Sequence, residues 1–127
     1  MKLLLDTHIV LWFFNNVENL SKKAYDAILD STNEKFISIA SAWELAIKIS
    51  LDKLVFEGGI QQFFSVVSNN GFELLPIKEK HLKLLEILPL YHRDPFDRIL
   101  VTSAISEGMH LITADANIHR YDVPCIW

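Results

Sequence analysis

Cysteine is almost missing from this chain. Cys125 is the only one in 127 residues, which excludes an internal disulfide and a thiolate metal cluster. Its setting, Val123-Pro124-Cys125-Ile126-Trp127, reads as that of a buried small residue, since a reactive thiol needs an electropositive, partly exposed place. Glycine and proline number four each, no segment is low in complexity, and no repeat of solenoid length occurs. No apolar run approaches the roughly 18 residues of a membrane span, and Met1-Lys2-Leu3 reaches an acid too soon for a secretory signal. The expected setting is therefore cytoplasmic, with no membrane partner. No G-x-G-x-x-G or Walker loop supports nucleotide-cofactor chemistry. Positive charge is also scarce: 12 Lys and Arg against 16 Asp and Glu give a net charge of −4. That argues against gripping nucleic acid by bulk charge. An enzyme acting on nucleic acid stays open, because several acids gathered in one metal pocket would account for the deficit.

Half of the residues are hydrophobic, enough for one core without staples, and the whole span 1–127 reads as a single domain. The sparse punctuation separates alternating strands and helices. Strands are expected at Lys2 to Leu5, Glu34 to Ile39, Phe72 to Leu75, Met109 to Thr113 and, at an edge, Val123 to Trp127. Helices are expected from Thr7 to about Phe14, Lys22 to Leu29, Ala40 to Ser50, Ile60 to Ser68, Lys78 to Leu88 and Pro95 to Glu107. In the third of these, Trp43, Ala46, Ile47 and Leu51 form one apolar stripe, and Glu44 and Lys48 stand four apart. Such alternation predicts an α/β fold with a mostly parallel sheet covered on both faces.

Acids recur where strands hand over to helices. Asp6 ends the apolar run Leu3-Leu4-Leu5, on the expected central strand. Asp115 ends Leu111-Ile112-Thr113-Ala114 and leads into an expected helix. Ser41-Ala42-Trp43-Glu44 and Asp94-Pro95-Phe96-Asp97 stand at two further helix openings. Taken singly, each acid has a capping explanation: Asp6 and Asp115 as N-caps, Ser41 with Glu44 as a capping box, and Asp94 before Pro95 as a charged first turn. Taken together, they converge on one sheet edge, where ligand sites of open α/β sheets lie. Clustered carboxylates repel unless a cation fills the pocket, and an all-oxygen set suits Mg²⁺ or Mn²⁺. Thr7 and Thr113 add hydroxyls that can orient a ligand or water. Lys48 reads either as the ion-pair partner of Glu44 or as a phosphate contact, and Arg93 and Arg98 invite the same two readings. His8 and His92 read as substrate contacts or, more simply, as surface and packing residues. No Cys or His spacing resembles a zinc site.

At these motifs, Leu3-Leu4-Leu5-Asp6-Thr7-His8, Ser41 to Lys48, Asp94-Pro95-Phe96-Asp97-Arg98 and Leu111 to Asp115, the chain resembles PIN-domain ribonucleases. Within them it looks like the VapC-type toxins of bacterial toxin-antitoxin pairs. The resemblance covers essentially the whole chain and rests on the ordered set of motifs. It implies a three-layer α/β/α fold, Mg²⁺- or Mn²⁺-dependent endoribonuclease activity on RNA, a homodimer, and inhibition by a cognate antitoxin. Carried over by position, Asp6, Glu44 and Asp97 match the core acids and Asp115 the fourth, while Asp94 belongs to a variant form of the motif. The rival is a PIN-like module that binds RNA or protein without catalysis. A haloacid-dehalogenase-type phosphatase would need a second Asp where His8 stands.

Overall fold

The computed structural model describes residues 1–127. Five strands, β1 (Lys2–Leu5), β2 (Glu34–Ser38), β3 (Phe72–Leu75), β4 (His110–Ile112) and β5 (Cys125–Ile126), form one sheet in the order β3-β2-β1-β4-β5. Every pairing is parallel, so each carboxyl end opens on the same edge. The chain first builds outward from β1 through β2 to β3, then returns to lay β4 on the other side of β1. That reversal makes the end of β1, next to β4, the topological switch point where such sheets leave a crevice.

Strand alternation divides the core into two layers. Leu3 and Leu5 face one side, with Ile37, Ile112 and Ile126. They are covered by α1 (Thr7–Asn15), α2 (Lys22–Leu29), α3 (Ile39–Ser50) and α4 (Gly59–Asn69). Leu4 and Leu111 face the other side against Leu100, Val101 and Ala104 of α6 (Pro95–Glu107). Helix α5 (Glu79–Ile87) packs against α6. The result is a three-layer α/β/α domain with a wholly parallel sheet. Leu3, Leu4 and Leu5 are all completely buried, and truncating any of them to alanine should cost ~2–5 kcal/mol.

Local chemistry sets the helix starts. Asp6, Ser21, Ser38 and Asp94 each accept a backbone N–H of the following helix through the side chain. Pro95 stands at the first position of α6, and Gly108 ends that helix with a positive φ of 67°, a conformation that costs glycine nothing. Two expectations about α3 need correction. Ser38, not Ser41, is its cap, because the helix begins at Ile39; Ser41 and Glu44 therefore form no capping box. The stripe of Trp43, Ile47 and Leu51 does not enter the core: these residues are exposed, whereas Ala42 and Leu45 are buried. The segment after Asp115 also differs, giving a turn and a single 3-10 turn at Ile118–Arg120 in place of an α-helix. No helix is long and apolar enough to cross a membrane.

Candidate metal centre

Asp6 leaves β1 at the switch point and is 4% exposed. One carboxylate oxygen caps α1 by accepting the Ile9 N–H at 3.0 Å; the other accepts the Thr113 hydroxyl. Thr113 follows β4 and, through the same hydroxyl oxygen, accepts the Asp115 N–H at 3.1 Å. One buried hydroxyl thus ties two of the four acids together. Burial pushes the Asp6 carboxyl above its ordinary range, and the bonds from Thr113 and Ile9 only partly offset this.

Glu44 sits in the second turn of α3, 5% exposed. Its Oε2 pairs with Lys48 at 2.8 Å, so the ion-pair reading of Lys48 is met. Its Oε1 is buried without any hydrogen-bond partner, an arrangement that is costly for a carboxylate. Asp97 lies in the first turn of α6 and is pushed up to about 7, by burial first and then by the charges of Asp94 and Asp6; His92 opposes this and Glu44 adds to it. Asp94 is the helix cap, accepting from Phe96 at 2.8 Å and Asp97 at 3.3 Å.

Asp115 accepts the Asn117 N–H at 2.8 Å and stands 2.8 Å from His92 Nε2. Burial acts upward on its carboxyl, but the bonds from His92 and Asn117 outweigh it and hold the group below its ordinary value. The same His92 nitrogen is 3.1 Å from Asp97. The other ring nitrogen, Nδ1, accepts the Asp94 N–H at 3.1 Å, which leaves the proton on Nε2, facing both acids. The ligand atoms of His92, Asp97 and Asp115 all lie within 4.8 Å of one another.

His92 is the member that sequence reasoning undervalued. Its only local signal is its place two residues before a capping Asp, where an imidazole can take the Asp94 N–H. Its contact with Asp115, 23 positions away, exists only in the fold. Other expected residues lie elsewhere. The Thr7 hydroxyl donates to Ser41 Oγ at 2.9 Å, pinning α1 to α3. Arg98 donates to the carbonyls of Leu88, Pro89 and His92 and to the Tyr121 hydroxyl, so it braces the loop that carries His92. Arg93 is exposed. Cys125 is half-buried, and burial raises its thiol pKa.

A cluster of acids at the switch point of a parallel α/β/α sheet defines a class of protein: an open-sheet α/β domain with its candidate site at the carboxyl edge. More particularly, the PIN domain family model matches residues 3–124, and the chain belongs to that family. Nothing among curated proteins matches it. Among solved structures it is similar to VapBC2 from Rickettsia felis bound to a DNA fragment from its promoter. That match has 19% identity and a TM-score of 0.76, covering 98% of this chain and 97% of that one. It is also similar to FitAcB from Neisseria gonorrhoeae, with 18% identity, TM-score 0.69, and 97% and 95% of the two chains covered. A toxin-antitoxin complex from Klebsiella pneumoniae gives 17% identity, TM-score 0.67, and coverage of 98% and 95%. At such identities the likeness bears on the fold.

Proposed function

We propose that this PIN domain is a VapC-type toxin, a Mg²⁺- or Mn²⁺-dependent endoribonuclease held in check by a cognate antitoxin in the cytoplasm. The observation that carries the reading is the pair of unsatisfied acids: Glu44 Oε1 buried without a partner, and Asp97 driven to about 7 by burial and by Asp94, Asp6 and Glu44. A divalent cation relieves both, and oxygen donors suit a hard ion. Asp6 and Asp97 would hold it directly, with Glu44 and Asp115 acting through waters or as proton acceptors. His92 would not be a ligand, because its inward nitrogen carries a proton; it orients Asp97 and Asp115 instead.

When bound, such an ion supplies hydroxide at neutral pH and neutralises charge on the phosphate oxygens. The chain does the rest. Thr113 fixes the Asp6 carboxylate, Lys48 balances one oxygen of Glu44, and Arg98 braces the His92 loop. In-line attack by that hydroxide, rather than by the ribose 2′-hydroxyl, should leave a 3′-hydroxyl and a 5′-phosphate.

Two surfaces support partners. Ile39, Trp43, Ile47 and Leu51 repeat every four residues along α3 and are 37% to 59% exposed. Beside them lies an apolar groove lined by Ile77, Leu82, Leu85 and Phe96, a patch suited to a homodimer contact. Between α1 and α4, a cleft of about 400 Å³ lined by Phe14, Phe56, Gln62 and Val66 suits an antitoxin segment; that the known complexes are toxin-antitoxin assemblies favours this.

The test is cleavage of pooled transfer and messenger RNA. Wild-type protein should cut with Mg²⁺ or Mn²⁺ and stop with a chelator. Asp6→Asn keeps a good cap, so it should stay folded while losing more than the ~10–100-fold typical of outer-shell changes. RNA binding without any cleavage would favour the non-catalytic reading.

A further inference from the structure

The register that brings Asp6 and Thr113 to the carboxyl edge brings a third side chain there. Leu5 is level with Ile112, and Ile112 with Ile126. Asp6, Thr113 and Trp127 therefore each stand one position past a shared row, and the Thr113 N–H still bonds to the Ile126 carbonyl at 3.3 Å. At ~4.8 Å between strands, the Trp127 backbone lies roughly 10 Å from that of Asp6. Helix α1 contributes two more rings from the same edge. His8 and Trp12 are four apart, hence on one helix face, with ring centroids 6.1 Å apart. Trp12 and Trp127 meet at 5.9 Å, tilted by 45°.

Two of these rings, His8 and Trp12, adjoin the acids, and Trp127 packs on Trp12. A cavity of about 260 Å³ is lined by Asp6, His8, Ile9, Trp12, Ala114 and Asp115. Its volume falls just below the ~300 Å³ at which pockets for drug-sized ligands begin, so a single planar ring is a fitting guest. Two carboxylates on one wall disfavour an anionic ligand there. Trp12 packs partly against the core yet is only half-buried, while His8 is exposed and Trp127 is 38% exposed. Tilted, partly open aromatic faces next to a phosphodiester site match how proteins hold unpaired bases, which stack on Trp and His with little sequence demand.

We propose that His8, Trp12 and Trp127 form a nucleobase-stacking subsite that holds one unpaired RNA base beside the phosphate at the acid cluster. It rests on the nuclease reading for its biological meaning, yet its binding chemistry can be tested without cleavage.

The probes are AMP and ribose 5-phosphate, which differ by the base alone, titrated with Mg²⁺ into full-length protein carrying Trp43→Phe. Trp12 and Trp127 are then the only indole reporters. AMP should quench their fluorescence saturably while ribose 5-phosphate does not, and adding Trp127→Leu should weaken AMP at least about fivefold. On RNA, Trp127→Leu should raise KM by a similar factor and leave kcat within about twofold. Equal quenching by both sugars, unchanged AMP affinity in Trp127→Leu, or tighter competition by N-acetylargininamide than by AMP would overturn the subsite. Circular dichroism and melting of Trp127→Leu establish that the variant is folded, and His8→Ala, at an exposed position, provides a second variant with the same expected direction. A wild-type protein that stacks AMP but cuts no RNA would refute the nuclease and uphold the subsite; one that cuts RNA with unchanged KM in Trp127→Leu would do the reverse.

Discussion

Replacing Asp97 with asparagine should make the metal-free protein more stable at pH 8 and remove most of its response to divalent cations. Asp97 is raised from its ordinary 3.8 to about 7, so the native state binds its proton more tightly than the unfolded chain does. For such a group, stability is complete below about pH 4 and declines as the pH climbs to about 7, beyond which the full penalty applies. A rise of roughly three decades in proton affinity, at ~1.4 kcal/mol each, sets a ceiling of ~4 kcal/mol. The side chain retains 16% exposure at the cleft, and solvent screening reduces the expected effect to about 2 kcal/mol. In a domain of this size that is a melting shift of roughly 6–12 °C. Asparagine keeps an acceptor for the His92 Nε2–H 3.1 Å away, so the local geometry has reason to persist. Thermal melts of both proteins in EDTA at pH 5 and pH 8, then with millimolar Mg²⁺ or Mn²⁺, provide the measurement. The gain should appear at pH 8, shrink at pH 5, and vanish once the ion stabilises the wild type by mass action. A variant that melts below wild type at pH 8 without metal would refute the idea that repulsion and burial strain this carboxyl.

Other perturbations are as readily checked. Thr113→Val, nearly isosteric in a fully buried position, deprives Asp6 of a donor and the Asp115 N–H of its acceptor. It should cost ~1–3 kcal/mol in urea denaturation and about 10–100-fold in RNA cleavage; unimpaired cleavage would mean the bridge does not orient Asp6. Glu107 ties α5 to α6 through Lys78 at 2.7 Å and Lys80 at 3.0 Å, and the bond from Lys78, seconded by Lys80, holds its carboxyl near 2. Its depressed value means the stabilisation is present above about 4.5 and fades as the pH drops through 2, so Glu107→Gln should lose up to about 1 kcal/mol at pH 7 and nothing near pH 2. Trp43→Ser should weaken self-association by about 30-fold or more in sedimentation, as a central aromatic contact does, without changing the monomer's circular dichroism.

Sequence patterning revealed the frame because its signals are local. Apolar runs such as Leu3-Leu4-Leu5 and Leu111-Ile112 mark strands buried on both faces, and Gly108 and Pro95 mark helix ends, without reference to distant residues. Asp6 as the end of the central strand was legible for the same reason. Errors fell where tertiary context overrides local pattern. The Ser41–Glu44 spacing satisfies a capping box, but Ser38 takes the cap because β2 ends one residue earlier than its apolar run suggests. The α3 stripe has a core-facing period, yet the sheet is already covered by Ala42 and Leu45, which leaves Trp43 and Ile47 outside. His92 had no periodic signal at all; its significance comes from Asp97, in the first turn of α6, and Asp115, in the loop after β4.

The carboxyl edge is assembled from both extremities of the described chain, for the hydroxyl that clamps Asp6 stands 107 positions away from it. During synthesis the first strand and its acid emerge long before their clamp and Asp115 are translated. A nascent chain that has not yet reached Thr113 therefore presents Asp6 without its clamp, and the edge takes its final form only after residues 113 to 115 have been added.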